Sequence, residues 1–203
     1  MWEALFSFSL ATAALALSPG PDNIFVLTQS MAYGSKSGLA IVCGLISGCI
    51  VHTTLIAFGV SALISTSPWM MTLIKVFGSA YLLYLAYQVF RSDGSIQLEG
   101  GGAQKSPWNY FKQGVAMNLL NPKVILFFLA FFPAFLWKPE EDTVMQFYVL
   151  GLTFMGVSFI LFALIALLAG HIKHYIEQNQ RAGQVMRWAQ LIVFVGIAVF
   201  IWI

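Results

Sequence analysis

Two ionisable residues stand inside apolar stretches long enough to cross a membrane. They are Asp22, in Ser18-Pro19-Gly20-Pro21-Asp22-Asn23, and Lys123, in Asn118-Leu119-Leu120-Asn121-Pro122-Lys123. A charge at mid-bilayer costs a few to ~10 kcal/mol, so such residues face an internal cavity and carry function. Asp22 can balance an ammonium or accept a proton, and Lys123 can balance a carboxylate. Together they suit a zwitterion. A structural alternative stands beside this: Asp22 caps a helix, and Lys123 neutralises it as a buried ion pair. The two are compatible if the pair closes an empty site and opens to admit a ligand.

Both charges follow a proline, and Pro21-Asp22 and Pro122-Lys123 lie 101 positions apart in a chain of 203. Pro19 and Pro21 remove two backbone donors, and Gly20 relaxes the backbone between them. The pattern predicts a half-helix ending near Leu17 or Ser18 and a second starting at Pro21. In the later motif Asn121 suits an N-cap and Pro122 the first helical position. Asn118, one turn earlier, is placed to satisfy freed backbone groups. Unwound backbone inside a bilayer is tolerated only where protein or a wet cavity satisfies it. The new helix start offers N–H groups to a carboxylate, and the preceding half-helix offers carbonyls to a cation.

Other residues are weaker candidates. Gly44, Gly48 and His52 recur at four-residue steps, so they share one helix face. The two glycines let another helix approach closely, and His52 there is either a proton carrier or a packed neutral ring bonded to a carbonyl. Tyr81, Tyr84 and Tyr87 form a stripe, with Tyr81 or Tyr84 the better cavity-wall candidates and packing or interface anchoring the rival. Gly78-Ser79-Ala80 reads as a helix contact. Cys43 and Cys49, six residues apart on one predicted helix, lie about 240° apart around its axis and ~9 Å along it, too far for a disulfide. They read as packing thiols. His171 and His174 read as an interfacial pair rather than metal ligands. No phosphate loop, nucleophile elbow or HExxH occurs, so neither an enzyme nor a cofactor or metal site is expected.

The elements that hold these residues follow from composition. The chain is 59% hydrophobic and 9% charged, against roughly 25% charged for an ordinary soluble domain. A net charge of +2 with dispersed basic residues gives no basis for nucleic-acid binding. Windows of about 20 apolar residues predict six spans, near 4–31, 38–64, 70–90, 111–136, 144–170 and 187–203. The first is retained rather than a cleaved signal peptide, since Glu3 is acidic and no Lys or Arg precedes Lys36. Lys36, Arg91, Lys105, Lys112, Lys173, Arg181 and Arg187 fall on one side if the spans alternate. Lys75 and Lys138 fall on the other, with Glu3, Glu140, Glu141 and Asp142. That bias puts both termini outside. All six Trp (2, 69, 108, 137, 188 and 202) fall at span ends. The Gly100-Gly101-Gly102 segment reads as part of a cytoplasmic linker, about 91–110, between half-repeats near 1–90 and 111–203. Three spans per half invert the second half relative to the first. The expectation is one all-α membrane domain over residues 1–203: six transmembrane helices as a 3+3 inverted repeat, the first and fourth broken.

At these motifs the chain resembles the lysine exporter/homoserine–threonine exporter family (LysE/RhtB type) of bacterial amino-acid efflux proteins. The residues that carry the likeness are Ser18-Pro19-Gly20-Pro21-Asp22, the Gly44-to-His52 face, Gly78-Ser79-Ala80-Tyr81-Leu82 and the Asn118-to-Lys123 run. It spans essentially the whole chain. The resemblance implies export of an amino acid or derivative from the cytoplasmic (inner) membrane, with protons as the coupling ion. Two departures stand out: Ser79-Ala80 in the third span, and Trp188-Ala189-Gln190 without a glycine near the start of the sixth. Export of a metal cation or other small solute on the same fold, and a non-transporting membrane subunit, are the alternatives. Which amino acid is carried, and whether the chain forms a homo-oligomer, stay open.

Overall fold

The computed structural model describes residues 1–18, 20–62, 68–92, 103–139, 141–178 and 182–202. Pro19, Glu140, Arg181 and the glycine run at 100–102 lie outside the described residues. The described residues contain helices and connections and no strand. In chain order they are α1 (Trp2–Leu17), α2 (Pro21–Tyr33), α3 (Ser35–Leu55, continued by a π-helical turn over Ile56–Val60), α4 (Pro68–Arg91), α5 (Pro107–Leu120), α6 (Pro122–Phe131, tightening to 3₁₀ over Phe132–Phe135), α7 (Thr143–Leu167), α8 (Ala169–Gln178) and α9 (Ala182–Phe200).

Length decides which helices cross alone. Ser35–Val60, Trp69–Arg91, Thr143–Leu167 and Gly183–Phe200 are long and apolar enough. At 1.5 Å per residue, α1 and α2 reach only about 24 and 20 Å, and α5 about 21 Å, short of the ~30 Å hydrocarbon layer. Each reaches across only with the helix it is bent against, α1 with α2 and α5 with α6. α1 and α2 meet at 59°, and α5 with the α6 segment at 54°; counting each bent pair as one span, the described residues hold up to six candidate spans. The last span starts near Ala182, several residues before the expected 187. Its first turns are polar, which hid them from an apolar window, but Arg187 anchors them by donating to the Ser92 carbonyl at 2.8 Å. α2 passes to α3 through Gly34 alone, at φ 84° and ψ 162°, a region open only to glycine.

Apolar side chains such as Leu10, Phe77, Leu152, Ile160 and Ile192 are exposed along the helices, as lipid-facing surface must be. Lipid gives no hydrophobic drive between helices, so association rests on close packing and hydrogen bonds. α3 runs through the middle, against α2, α5 and α7. At its crossing with α5, a Cβ on Gly44 would overlap the Phe111 carbonyl, and one on Gly114 would overlap that of Ile41. Only glycine permits that approach. The expected close contact at Gly78 is also present, against Ala130 of α6. Ser79 donates to the Ala198 carbonyl at 3.2 Å and accepts from Trp202 Nε1 at 2.9 Å, joining α4 to α9. Phe8, Phe127, Phe131, Phe132 and Phe135 interleave between α1 and α6, with centroids 4.4–6.1 Å apart.

Candidate functional site

The two bends face each other. α1 ends at Ser18, whose backbone is extended, and α2 starts at Pro21 with Gly20 as its N-cap. α5 ends at Leu120, and Asn121 is at once its C-cap and the N-cap of α6, with Pro122 at the first position. Asp22 and Lys123 thus hold the same place, the second residue of the second half-helix. As the sequence predicts, Asn121 Oδ1 caps α6 by accepting from the Lys123 N–H at 3.0 Å.

Each break is closed largely by side chains. A continuous helix would send the Gly20 N–H to the Ala16 carbonyl; Asn23 Nδ2 donates there instead, at 2.6 Å. Lys123 Nζ donates to the Ser18 carbonyl at 3.3 Å, placing a cation at the negative end of α1. Its ammonium also lies 5.2 Å from the centre of the Phe194 ring of α9. Pro122 has no N–H to give the Asn118 carbonyl, which accepts instead from the Asn121 N–H and from His52 Nε2 of α3, each at 3.2 Å. Facing a carbonyl, that ring nitrogen must carry the proton.

Asp22 does not cap α2, which has no side-chain cap bond. It is 7% exposed; Oδ2 accepts from Asn121 Nδ2 at 2.9 Å, and Oδ1 is buried without a partner. Nor do Asp22 and Lys123 form a contact ion pair. The salt bridge among the described residues is the surface pair Lys138–Glu141. Each charge is tied to the other break, Asp22 to a side-chain amide and Lys123 to a backbone carbonyl. Asn121 reaches Asp22, Lys123 reaches Ser18, and the halves are stitched crosswise.

Between the breaks lies a cavity of about 40 Å³, bounded by α1, α2, α3, α5, α6 and α7. Gly20, Pro21, Asp22, Asn23, Asn118, Asn121 and Lys123 line it, so residues of both proline motifs meet at one place. Ser18 and Pro122 adjoin it through the backbone, and Pro19 lies outside the described residues. Gly48 is packed under the Asn118 side chain, where a Cβ would come within 2.5 Å of Oδ1. His52 is buried one layer back, its ring 5.4 Å from that of Phe128. Tyr81 is not part of this lining. It stands on α4 with its ring 6.0 Å from that of Tyr84, away from the cavity, because α4 presents Gly78 and Ser79 to its neighbours. Asn118 gives its backbone carbonyl to the break, and its side chain donates to Cys49 Sγ at 3.4 Å while its Oδ1 stays without a partner.

Sequence reasoning missed the rest of the lining: Leu15 and Ala16 of α1, Leu45, Ile46 and Cys49 of α3, Val124 of α6, and Phe154, Ser158 and Phe162 of α7. Cys49 packs as expected but also forms wall. For Ser158 a signal exists, a hydroxyl in an otherwise apolar stretch. The chemistry on offer is a carboxylate oxygen and an amide oxygen, Asp22 Oδ1 and Asn118 Oδ1, buried and unpartnered, with one ammonium nearby. Buried acceptors without donors call for a ligand that donates.

The LysE type translocator family model matches residues 13–203. A homoserine/homoserine lactone efflux protein of Salmonella typhimurium is 33% identical over 176 residues, covering 87% of this chain and 85% of its own. A leucine efflux protein of Salmonella choleraesuis is 29% identical over 196 residues, covering 95% of this chain and 92% of its own. No solved structure matches the chain. Both charged breaks fall within the matched stretch, and this chain belongs to the LysE type translocator family.

Proposed function

We propose that the protein is a secondary transporter exporting an amino acid or amino-acid derivative across the cytoplasmic membrane by proton antiport. The observation that carries this is the cavity between the crossed breaks, with two unpartnered acceptors and an ammonium. The substrate ammonium is held by Asp22 Oδ1 and Asn118 Oδ1, and its carboxylate by Lys123. The relatives named for homoserine and leucine efflux support a neutral zwitterion. Among the described residues no three of His, Cys, Asp and Glu are grouped to hold a metal ion, which gives the metal-cation alternative no foothold.

A volume of about 40 Å³ holds roughly one water, where sites for small molecules span roughly 300–1,000 Å³. This is therefore the closed form. Substrate enters by replacing the cross-ties: its carboxylate takes Lys123 from the Ser18 carbonyl, and its ammonium takes the free side of Asp22. Asp22 is the proton acceptor. A proton taken from outside weakens its hold on the ammonium and releases the substrate; the protonated carboxyl then returns to face the cytoplasm, gives up its proton there, and the carboxylate so formed takes the next ammonium. His52 holds the second break rather than carrying the proton.

Alternation follows from an inverted repeat, 1–90 against 111–203. In its favour, packing of α3 on α5 is matched by packing of α7 on α1, and α2 on α7 by α6 on α3. The pairs α3–α7 and α4–α9, which a two-fold axis would map onto themselves, are also in contact. The basic connections lie in the cytoplasm and both termini outside. Counterflow of labelled amino acids in proteoliposomes tests the function. Exchange of a neutral amino acid, accelerated by an opposing proton gradient, is expected; no exchange of any amino acid overturns the proposal.

A further inference from the structure

Hydroxyls on these helices mostly find a carbonyl one turn back. Ser9, Ser30, Ser37, Ser47, Thr54 and Thr153 each donate to the carbonyl four residues earlier, at 2.6–3.2 Å. That is the ordinary fate of a hydroxyl in a membrane helix, because lipid offers nothing else. Ser158 departs from it. Its side chain is 1% exposed, its Oγ has no partner, and it lines the cavity between Phe154 and Phe162 on the same face of α7. Four other buried hydroxyls lack partners, those of Thr12, Ser18, Thr53 and Ser61, but their side chains do not line this cavity.

The cavity wall is divided by chemistry. Asp22, Asn118, Asn121 and Lys123 come from the two breaks, and they occupy the charged part. Leu45, Ile46, Phe154 and Phe162 supply apolar wall from α3 and α7, and Ser158 is the polar atom on the α7 side. An amino acid whose charged groups lie on the breaks points its side chain at α3 and α7. An apolar side chain there leaves the Ser158 hydroxyl buried and unpaired. A side chain ending in a hydroxyl both donates to it and accepts from it.

We infer that Ser158 selects substrates with a side-chain hydroxyl, so that the transported class is a short hydroxy amino acid rather than a branched aliphatic one. This rests on the proposal that an amino acid occupies the cavity. Hydrophobic wall alone discriminates poorly between side chains of equal size, whereas a buried hydroxyl left unpaired penalises the apolar one. A neutral hydrogen bond contributes about 1–1.5 kcal/mol, so roughly tenfold separates a hydroxyl from a methyl at the same place.

The test is competition for counterflow in proteoliposomes by homoserine and by norvaline, which has a methyl where homoserine has its hydroxyl. The wild-type protein should favour homoserine about tenfold. Ser158→Ala should bring the ratio near one, and Ser158→Thr, which keeps the hydroxyl, should preserve the preference. Equal competition in the wild-type protein, or a preference that persists in Ser158→Ala, overturns the inference while leaving amino-acid transport standing. The wild-type ratio decides even if Ser158→Ala does not fold. Failure of every amino acid to exchange instead overturns the transport proposal itself.

Discussion

The two breaks share a plan and differ in who completes it. In both, a short apolar helix stops, a proline opens the next, and a charge occupies the second position. The second break carries its own cap, Asn121, and exports help: Asn121 also donates to Asp22, and Lys123 reaches back to Ser18. The first break has a glycine where the second has Asn121, and its new helix has no side-chain cap. The reason is spatial. A Cβ on Gly20 would lie 3.3 Å from Lys123 Nζ, so the ammonium fills the place a capping side chain would take. Repeating a plan does not require repeating its residues when one copy can serve both.

The largest effects should come from the charges, which differ in kind. Asp22→Asn keeps the shape and removes the titratable group. Uphill export should fall to background, while downhill exchange persists. Accumulation against a gradient at the wild-type rate would reduce Asp22 to a structural residue. Lys123→Gln leaves the Ser18 carbonyl short of its donor and the carboxylate without its cation. A loss of about 2–5 kcal/mol in substrate binding is expected, with Lys123→Arg retaining part of it. The double variant, Asp22→Asn with Lys123→Gln, separates the roles. Near-normal affinity there would make the two charges only each other's counter-ions; lost affinity assigns Lys123 to the substrate.

What the sequence revealed follows the same division. Proline, a buried charge and an N-cap residue act on their own backbone, so both breaks, the Asn121 cap and the meeting of the two motifs were legible. The Gly44 approach was legible because absence of a side chain at helical spacing has one common use. The direction of a side chain across a helix interface is different. Nothing local tells Asn118 to face Cys49, or Lys123 to seek the Ser18 carbonyl; both depend on which helices cross and at what height. The α7 wall was hidden for the same reason. Phe154 and Phe162 read as membrane residues until the crossing with α3 turns them inward. The place of Tyr81 was not legible, because a tyrosine stripe looks alike whether it faces cavity or lipid.

Asn121 tests the crossed ties at intermediate strength. Asn121→Ser keeps a capping oxygen but gives up the donor to Asp22. Asn121→Asp keeps the cap and sets a second carboxylate against the first. The closed form should be weakened in both, by about 1.5–3 kcal/mol for the lost bond to the carboxylate and more for the aspartate. Thiol labelling of Cys49, which lines the cavity, reads this opening directly. Labelling should rise from wild type to Asn121→Ser to Asn121→Asp. An unchanged rate in all three would mean that the Asn121–Asp22 tie does not hold the halves together.

His52 supplies the donor that Pro122 lacks, so its effect should track hydrogen bonding rather than charge. His52→Gln can present an amide N–H to the Asn118 carbonyl, and should keep proton-driven export within a few-fold of wild type. His52→Phe, which fills the space without a donor and leaves the Asn118 carbonyl with the Asn121 N–H alone, should cost about 0.5–1.5 kcal/mol in thermal stability, the net worth of one hydrogen bond. If His52→Gln exchanges substrate but loses its dependence on the proton gradient, the ring is a proton carrier after all, and the first and second breaks share the coupling.

The finest probe of the asymmetry is Gly20. A methyl group there meets Lys123 Nζ at 3.3 Å, tight but against the flexible end of a long side chain. Gly20→Ala should therefore be tolerated, at about 0.5–1 kcal/mol for the poorer N-cap, because the ammonium can retreat a few tenths of an ångström. Gly20→Asn is more telling, since it would copy the second break's cap into the first. The new amide would cap α2 and contest the position of Lys123, freeing the Ser18 carbonyl. Stability should then change little, one cap being gained as one tie is lost, while affinity for the substrate carboxylate falls. A Gly20→Asn variant as stable as wild type and equally tight for substrate would show that the first break tolerates its own cap. The missing cap would then owe nothing to the ammonium of Lys123.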